Sequence, residues 1–192
     1  MSVNPYAPPT AVVADVALPA DVGAETPFFA VSVTKLVVMS ICTFSLYEVF
    51  WFYRNWKRIA EREREPISPP RRAIFAVVFC YSCFARMRDY DALTGTSTGA
   101  GRLAALPLAI AWMVTSLLGS FTDYPWISQF AVLFLVPVQQ YVNRLNTAVA
   151  PLHDRNARFT AANWIGVIVG GLFVMLSIAA TFRPPQGTVE QP

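Results

Sequence analysis

The chain has a single histidine, His153, and three cysteines, Cys42, Cys80 and Cys83. One histidine cannot supply a His-rich metal centre. No HExxH pair, no Ser/His/Asp set and no phosphate-binding glycine loop occurs, and the loops are too short to build an aqueous site. No enzyme, metal or cofactor is therefore expected. Charge is scarce as well: 14% of the 192 residues are charged against 55% hydrophobic, with a mean hydropathy of +0.43. That excludes the surface of an ordinary soluble domain and points to the membrane class. The first 27 residues contain no Lys or Arg. A secretory signal peptide needs a basic start and a compact apolar core, so none is expected there.

Long apolar runs are plentiful. Residues 36–53 are apolar or weakly polar except for Glu48, and they lead into Arg54, Lys57, Arg58, Arg62, Arg64, Arg71 and Arg72. An apolar helix ending in cations, with Tyr47, Trp51, Tyr53 and Trp56 at headgroup depth, reads as a span meeting the cytoplasmic face. Eighteen residues reach about 27 Å, just enough for the hydrocarbon core. Residues 103–121, 126–138 and 161–182 supply three further spans, the last carrying no charge over its whole length. Residues 73–85 extend only about 20 Å as a helix between basic flanks, so they are expected to be re-entrant or interfacial. The fold class expected is all-α: a polytopic membrane protein of four transmembrane helices plus one short re-entrant or interfacial helix. Residues 1–30 read as a disordered Pro/Ala-rich tail, 31–184 as the membrane helical domain, and 185–192 as a disordered C-terminal tail.

Within the first span, Thr43-Phe44-Ser45-Leu46-Tyr47-Glu48-Val49-Phe50-Trp51-Phe52-Tyr53-Arg54 resembles a motif of small bacterial integral-membrane domains of unknown function. In that family the pattern runs Thr-x-Gly-Ile/Leu-Tyr-x-x-Tyr/Phe-Trp-Phe/Leu-Tyr before a cation. Ser45 stands at the family's glycine, which leaves open whether the helix breaks there. The start Asn4-Pro5-Tyr6-Ala7-Pro8-Pro9 also resembles that of many small bacterial membrane proteins. The resemblance implies a multi-pass protein of the bacterial inner membrane and no particular activity.

Positive charge sets the orientation. If 73–85 crosses, Lys and Arg divide almost evenly between the two faces. If it turns back, every Lys and Arg except Lys35 and Arg183 faces the cytoplasm, with Lys35 snorkelling at the outer end of the first span. A rival topology bends the first segment at Ser45 as well, which moves Lys35 inside and leaves Arg183 alone outside. The cations flank apolar segments, where lipid explains them, so no nucleic-acid partner is expected. The alternation from Glu61 to Glu65 reads as a solvated face with Lys57 and Glu61 paired, stopped by Pro66, Pro69 and Pro70.

Glu48 is the only ionisable residue within a span, about 9 Å from the inner boundary, which makes it a functional candidate by default. Gln139, Asn143 and Asn146 share one helical face. Glu48, Gln139, Asn143 and Asn163 are the expected polar intramembrane cluster. Its bland reading is a packing contact, and its functional reading is a transport or proton-coupling site. Gly166 and Gly170 form a GxxxG pattern for close helix approach, to another helix of this chain or to a second copy. Cys80-Tyr81-Ser82-Cys83 fits CxxC but lacks partner ligands and reads as small buried thiols. The expected partners are the lipid bilayer and a second copy or other membrane proteins. The expected role is an accessory, assembly or scaffold component working through helix contacts, with an oligomeric transporter or pore around Glu48 as the competing class.

Overall fold

A computed structural model of the chain describes residues 25–95, 102–119, 121–122 and 124–182. Every regular element among them is helical: α1 (Val33–Cys42), α2 (Leu46–Glu63), α3 (Pro69–Ile74), α4 (Ala76–Thr94), α5 (Ala105–Leu118), a 3-10 segment (Pro125–Ala131), α6 (Val132–Val149) and α7 (Ala161–Thr181). Among the described residues only α7 is a helix long and apolar enough to cross a membrane, while α1 and α5 are shorter apolar helices. The tail positions 1–24 and the C-terminal residues 185–192 lie outside the described residues.

The segment 36–53 is not one continuous helix: it is broken at Phe44 and Ser45, where the rival topology has its bend. Phe44 and Ser45 adopt left-handed conformations, φ 49° and 62°, a region that costs an L-residue with a Cβ about 1–2 kcal/mol. The break is stabilised locally: Thr43 N–H donates to the Met39 carbonyl at 3.0 Å, and Ser45 N–H to the Ser40 carbonyl at 2.9 Å. The Thr43 hydroxyl then accepts from Tyr47 N–H at 3.0 Å, which opens the next helix. The result is a hairpin. The Glu25 carboxylate pairs with Arg58, and Arg62 donates to the Pro27 carbonyl at 3.0 Å, so the chain enters beside the end from which α2 leaves. Lys35 is not free to snorkel. Its ammonium is buried and donates to the Arg158 carbonyl at 2.8 Å and to Asn156 Oδ1 at 2.9 Å.

The segment 73–85 also turns back, and it does so as part of a larger hairpin. Pro69 and Pro70 open α3, where a first-turn N–H has no helical partner to lose. The helix breaks at Phe75 (φ −93°, ψ 37°), and α4 returns as far as Thr94, ending on Gly95 in the left-handed region. Arg72 on the way in and Arg86 on the way out both lie over the Trp56 ring, at 4.4 and 5.8 Å from its centroid. α5 and α6 form the third pair. The return expected from residue 126 begins as a 3-10 segment and becomes α-helical only at Val132, with Pro137 inside the helix. α7 then packs along α1.

These pairings give the body two different ends. Arg58, Arg62, Arg72, Arg86 and Lys35 gather where the chain enters and leaves the hairpins. Arg144 and Arg155 line one pocket with Asn143, whose side chain reaches the Val31 carbonyl next to them. The turns of the hairpins carry exposed apolar residues instead: Leu46, Ile74, Phe75 and Phe121 are 59–82% exposed. Between the ends lies an aromatic core in which Phe52 stacks on Phe84 at 6.0 Å and meets Trp112 edge-on at 4.9 Å.

Candidate functional site

The four polar residues expected to cluster occupy three places. Gln139 and Asn143 are together, with Gln139 Nε2 donating to Asn143 Oδ1 at 2.8 Å. Their common target is a stretch of main chain. Residues 28–31, of which composition assigns 28–30 to the tail, run without regular secondary structure into the core with Phe28 and Val31 fully buried. Such a segment lacks the internal hydrogen bonds of a helix, so each buried N–H and C=O must find a partner elsewhere.

Amide side chains supply those partners from two helices. Asn146 on α6 accepts from Phe28 N–H and donates to the Phe28 carbonyl, both at 3.2 Å. Asn55 on α2 accepts from Phe29 N–H at 3.1 Å while its own amide donates to the Trp51 carbonyl at 2.9 Å. Gln139 donates to the Phe29 and Val31 carbonyls at 3.3 and 3.2 Å, and Asn143 donates to the Val31 carbonyl at 3.0 Å. Gln139 Oε1 closes the set by accepting from the Trp51 indole N–H at 2.6 Å. An amide carries both donor and acceptor, so it can stand in for a neighbouring strand, and four of them do so here. The spacing 139, 143, 146 places three on one face of α6, as the sequence predicts; Asn55, set between Arg54 and Trp56 in the cationic run, carried no such signal.

Glu48 lies elsewhere. It is 1% exposed, and Oε2 accepts from the Trp112 indole N–H on α5 at 2.7 Å. Oε1 makes no hydrogen bond among the described residues. Nothing in the sequence marks Trp112 as its partner except an indole N–H on an apolar helix, which must be satisfied when buried. Asn163 does not join the cluster. It is the third residue of α7 and forms a capping box with Thr160: Asn163 N–H donates to Thr160 Oγ1 at 3.3 Å, and Thr160 N–H donates to Asn163 Oδ1 at 3.0 Å. The reciprocal pair caps the start of the helix but leaves the asparagine no reach into the core.

Gly166 and Gly170 both face α1, within this chain, and they are not equivalent. A Cβ at Gly166 would meet Met39 Cε at 3.6 Å and Thr43 Cγ2 at 3.9 Å, ordinary contacts. At Gly170 it would run into the Cys42 carbonyl, the last residue of α1. Cys80 and Cys83 are buried and free, and Cys42 is half-buried. Among the described residues no cluster of His, Cys, Asp and Glu is placed to hold a metal.

At the cationic end Arg62 lies 4.7 Å from the Phe28 ring and 4.6 Å from Tyr90. Burial lowers its pKa, and that of Arg86, which bridges Glu63 and Glu65. The Tyr141 hydroxyl donates to Asp91 Oδ2 at 2.8 Å, and burial followed by that carboxylate pushes its pKa up. These contacts tie α2, α4 and α6 together at the charged end. No protein-family model matches this chain, and comparison with curated proteins and with solved structures finds no match either.

Proposed function

We propose that the chain is an integral protein of the bacterial inner membrane that works as an accessory, assembly or scaffold component through helix contacts, with its cationic end at the cytoplasmic face. The observation that carries this reading is the use made of its inner polar groups. Gln139, Asn143, Asn146 and Asn55 are taken up by the main chain of residues 28–31, and Glu48 is engaged by Trp112. Non-helical backbone at membrane depth is tolerated only where protein encloses it, and the amides meet that requirement. Groups so engaged hold a shape and are not free to pass a solute along. The orientation follows from charge: with the first and second segments both folded back, the cations from Lys35 to Arg158 lie on one side, as the positive-inside rule requires. In this topology the hairpins enter from the cytoplasm and α7 crosses, in place of four independent spans.

The outer face of α7 offers the contact surface. Trp164, Ile165, Ile168, Val169, Leu172 and Leu176 are 54–67% exposed, suited to lipid or to the apolar flank of another membrane protein.

Glu48 is the test. Glu48→Gln keeps the acceptor for Trp112 and removes the titratable proton, so on this reading it leaves fold, membrane integration and partner co-purification unchanged. Glu48→Leu strands a buried indole N–H and costs about 1–3 kcal/mol. A proton- or ion-linked flux in reconstituted vesicles that disappears in Glu48→Gln with the fold intact would make the protein a transporter and refute the scaffold reading.

A further inference from the structure

Between α5 and α6 runs a groove of about 510 Å³ whose two ends differ in chemistry. Its walls are two facing helical stripes: Ala104, Pro107, Leu108 and Ala111 on the α5 side, and Phe134, Pro137, Gln140, Tyr141 and Arg144 on α6. The lower part is apolar. The upper mouth carries Arg102, just before α5, and Arg144, both exposed. Among the described residues neither forms an ion pair with a carboxylate, whereas Arg58, Arg62, Arg86 and Arg88 each do. The nearby carboxylate is Asp91, which accepts a hydrogen bond from the Tyr141 hydroxyl at 2.8 Å. Arg144 also lines an adjoining pocket of about 490 Å³ with Arg155, Asn143 and Thr147, so net positive charge persists at the mouth.

We propose that this groove binds one anionic phospholipid of the cytoplasmic leaflet, with its phosphate at Arg102 and Arg144 and an acyl chain along Pro107, Leu108, Ala111, Phe134 and Pro137. The inference rests on the membrane reading above. Guanidinium groups suit a phosphate because they donate in pairs, and basic pockets between helices at the cytoplasmic side are suited to anionic headgroups. The dimensions agree with a lipid rather than a soluble phosphate. From Arg144 to Phe134 is ten residues of helix, about 15 Å, which is half of a hydrocarbon core of about 30 Å. One leaflet's chain fills that depth, and a free headgroup would leave the apolar walls uncovered.

The test uses the full chain extracted in mild detergent, with phosphatidylglycerol or phosphatidylcholine added to the micelles and bound lipid counted by native mass spectrometry. The expected result is one retained phosphatidylglycerol per chain, with phosphatidylcholine held about tenfold more weakly. Arg102→Gln with Arg144→Gln lowers phosphatidylglycerol retention about tenfold. Ala111→Phe, which fills the apolar part, lowers retention with both arginines in place, and Lys57→Gln with Arg64→Gln leaves it unchanged. If the double arginine variant is not monodisperse, Arg144→Gln alone and Ala111→Phe decide the matter. Equal retention of the two lipids, an equal loss in the Lys57/Arg64 variant, or displacement of lipid by water-soluble glycerophosphate would overturn the proposal. Release of the protein from membranes by a carbonate wash would refute the membrane reading itself, a failure distinct from loss of lipid selectivity in a protein that stays embedded.

Discussion

Substituting alanine separately at Gly170 and at Gly166 distinguishes a specific helix contact from a generic small-residue stripe. At Gly170 the added Cβ meets the carbonyl that closes α1: the carbonyl carbon of Cys42 would stand 2.7 Å away and its Cα 3.5 Å. A backbone carbonyl cannot rotate aside as a side chain does, so α7 must retreat from α1. Overpacking of this kind costs about 1–3 kcal/mol. Retreat also weakens the edge-to-face pair of Phe44 and Phe173, whose centroids are 5.1 Å apart, a contact worth about 0.5–1.5 kcal/mol. Together, less the gain of up to about 1 kcal/mol in helix propensity that any Gly→Ala change brings here, Gly170→Ala should destabilise by about 0.5–3.5 kcal/mol, on the order of 1–14 °C in a protein of this size. Gly166→Ala places its methyl in ordinary contact with Met39 and Thr43 and gains up to about 1 kcal/mol of helix propensity. It should be neutral or stabilising. Thermal unfolding in a mild detergent, read by loss of the monodisperse peak, measures both. Equal tolerance of the two substitutions, or greater harm from Gly166→Ala, would refute the α1–α7 packing. A change of oligomer size in Gly170→Ala at unchanged thermal stability would move the contact to an interface between copies.

Three other outcomes are expected. Ser45→Gly should stabilise by about 0.5–1 kcal/mol, because Ser45 holds φ 62° and glycine adopts that conformation without penalty; a loss of stability would show that Ser45 does not occupy the left-handed region. Asn146→Leu removes both partners of the Phe28 peptide groups and should cost about 2–4 kcal/mol, seen as protease cleavage near residue 28 at temperatures where the parent chain is intact. In a cysteine-free background, Glu25→Cys should resist a membrane-impermeant thiol reagent added to intact cells and react after permeabilisation, since Glu25 pairs with Arg58 at the cationic end; labelling from outside would restore the continuous first span.

What the sequence revealed and what it hid divide along a physical line. Helical character, the apolar runs and the grouping of cations follow from composition, which is how the all-helical architecture and the uninterrupted apolar helix of α7 were legible. The breaks were legible only in part: 73–85 read as re-entrant from its length and basic flanks, and a bend at Ser45 was one of two arrangements that charge allowed, because breaks made by single residues leave little compositional cue. Phe44 and Ser45 are neither glycine nor proline, and their left-handed backbone is stabilised by bonds to Met39 and Ser40 that no periodicity records. Topology could therefore be reduced by charge to two arrangements but not to one. The shared face of Gln139, Asn143 and Asn146 was legible from spacing alone; its target was not, since Phe28 and Phe29 follow a proline-rich stretch that reads as a tail. Glu48 stood out as a buried charge, yet Trp112, distant in sequence, carried no signal as its acceptor's partner until the helices were placed.

The amide clamp also imposes an order on biogenesis. Asn146 and Phe28 are 118 residues apart, so at a synthesis rate of about 5–20 residues per second the partner for Phe28 is made on the order of 10 s after Phe28 itself. Throughout that interval the peptide groups of residues 28–31 have only Asn55 from their own half of the chain. They must stay hydrated, at the interface or bound to a helper, and cannot settle into an apolar interior. The N-terminal hairpin can thus reach its final packing only after α6 has left the ribosome.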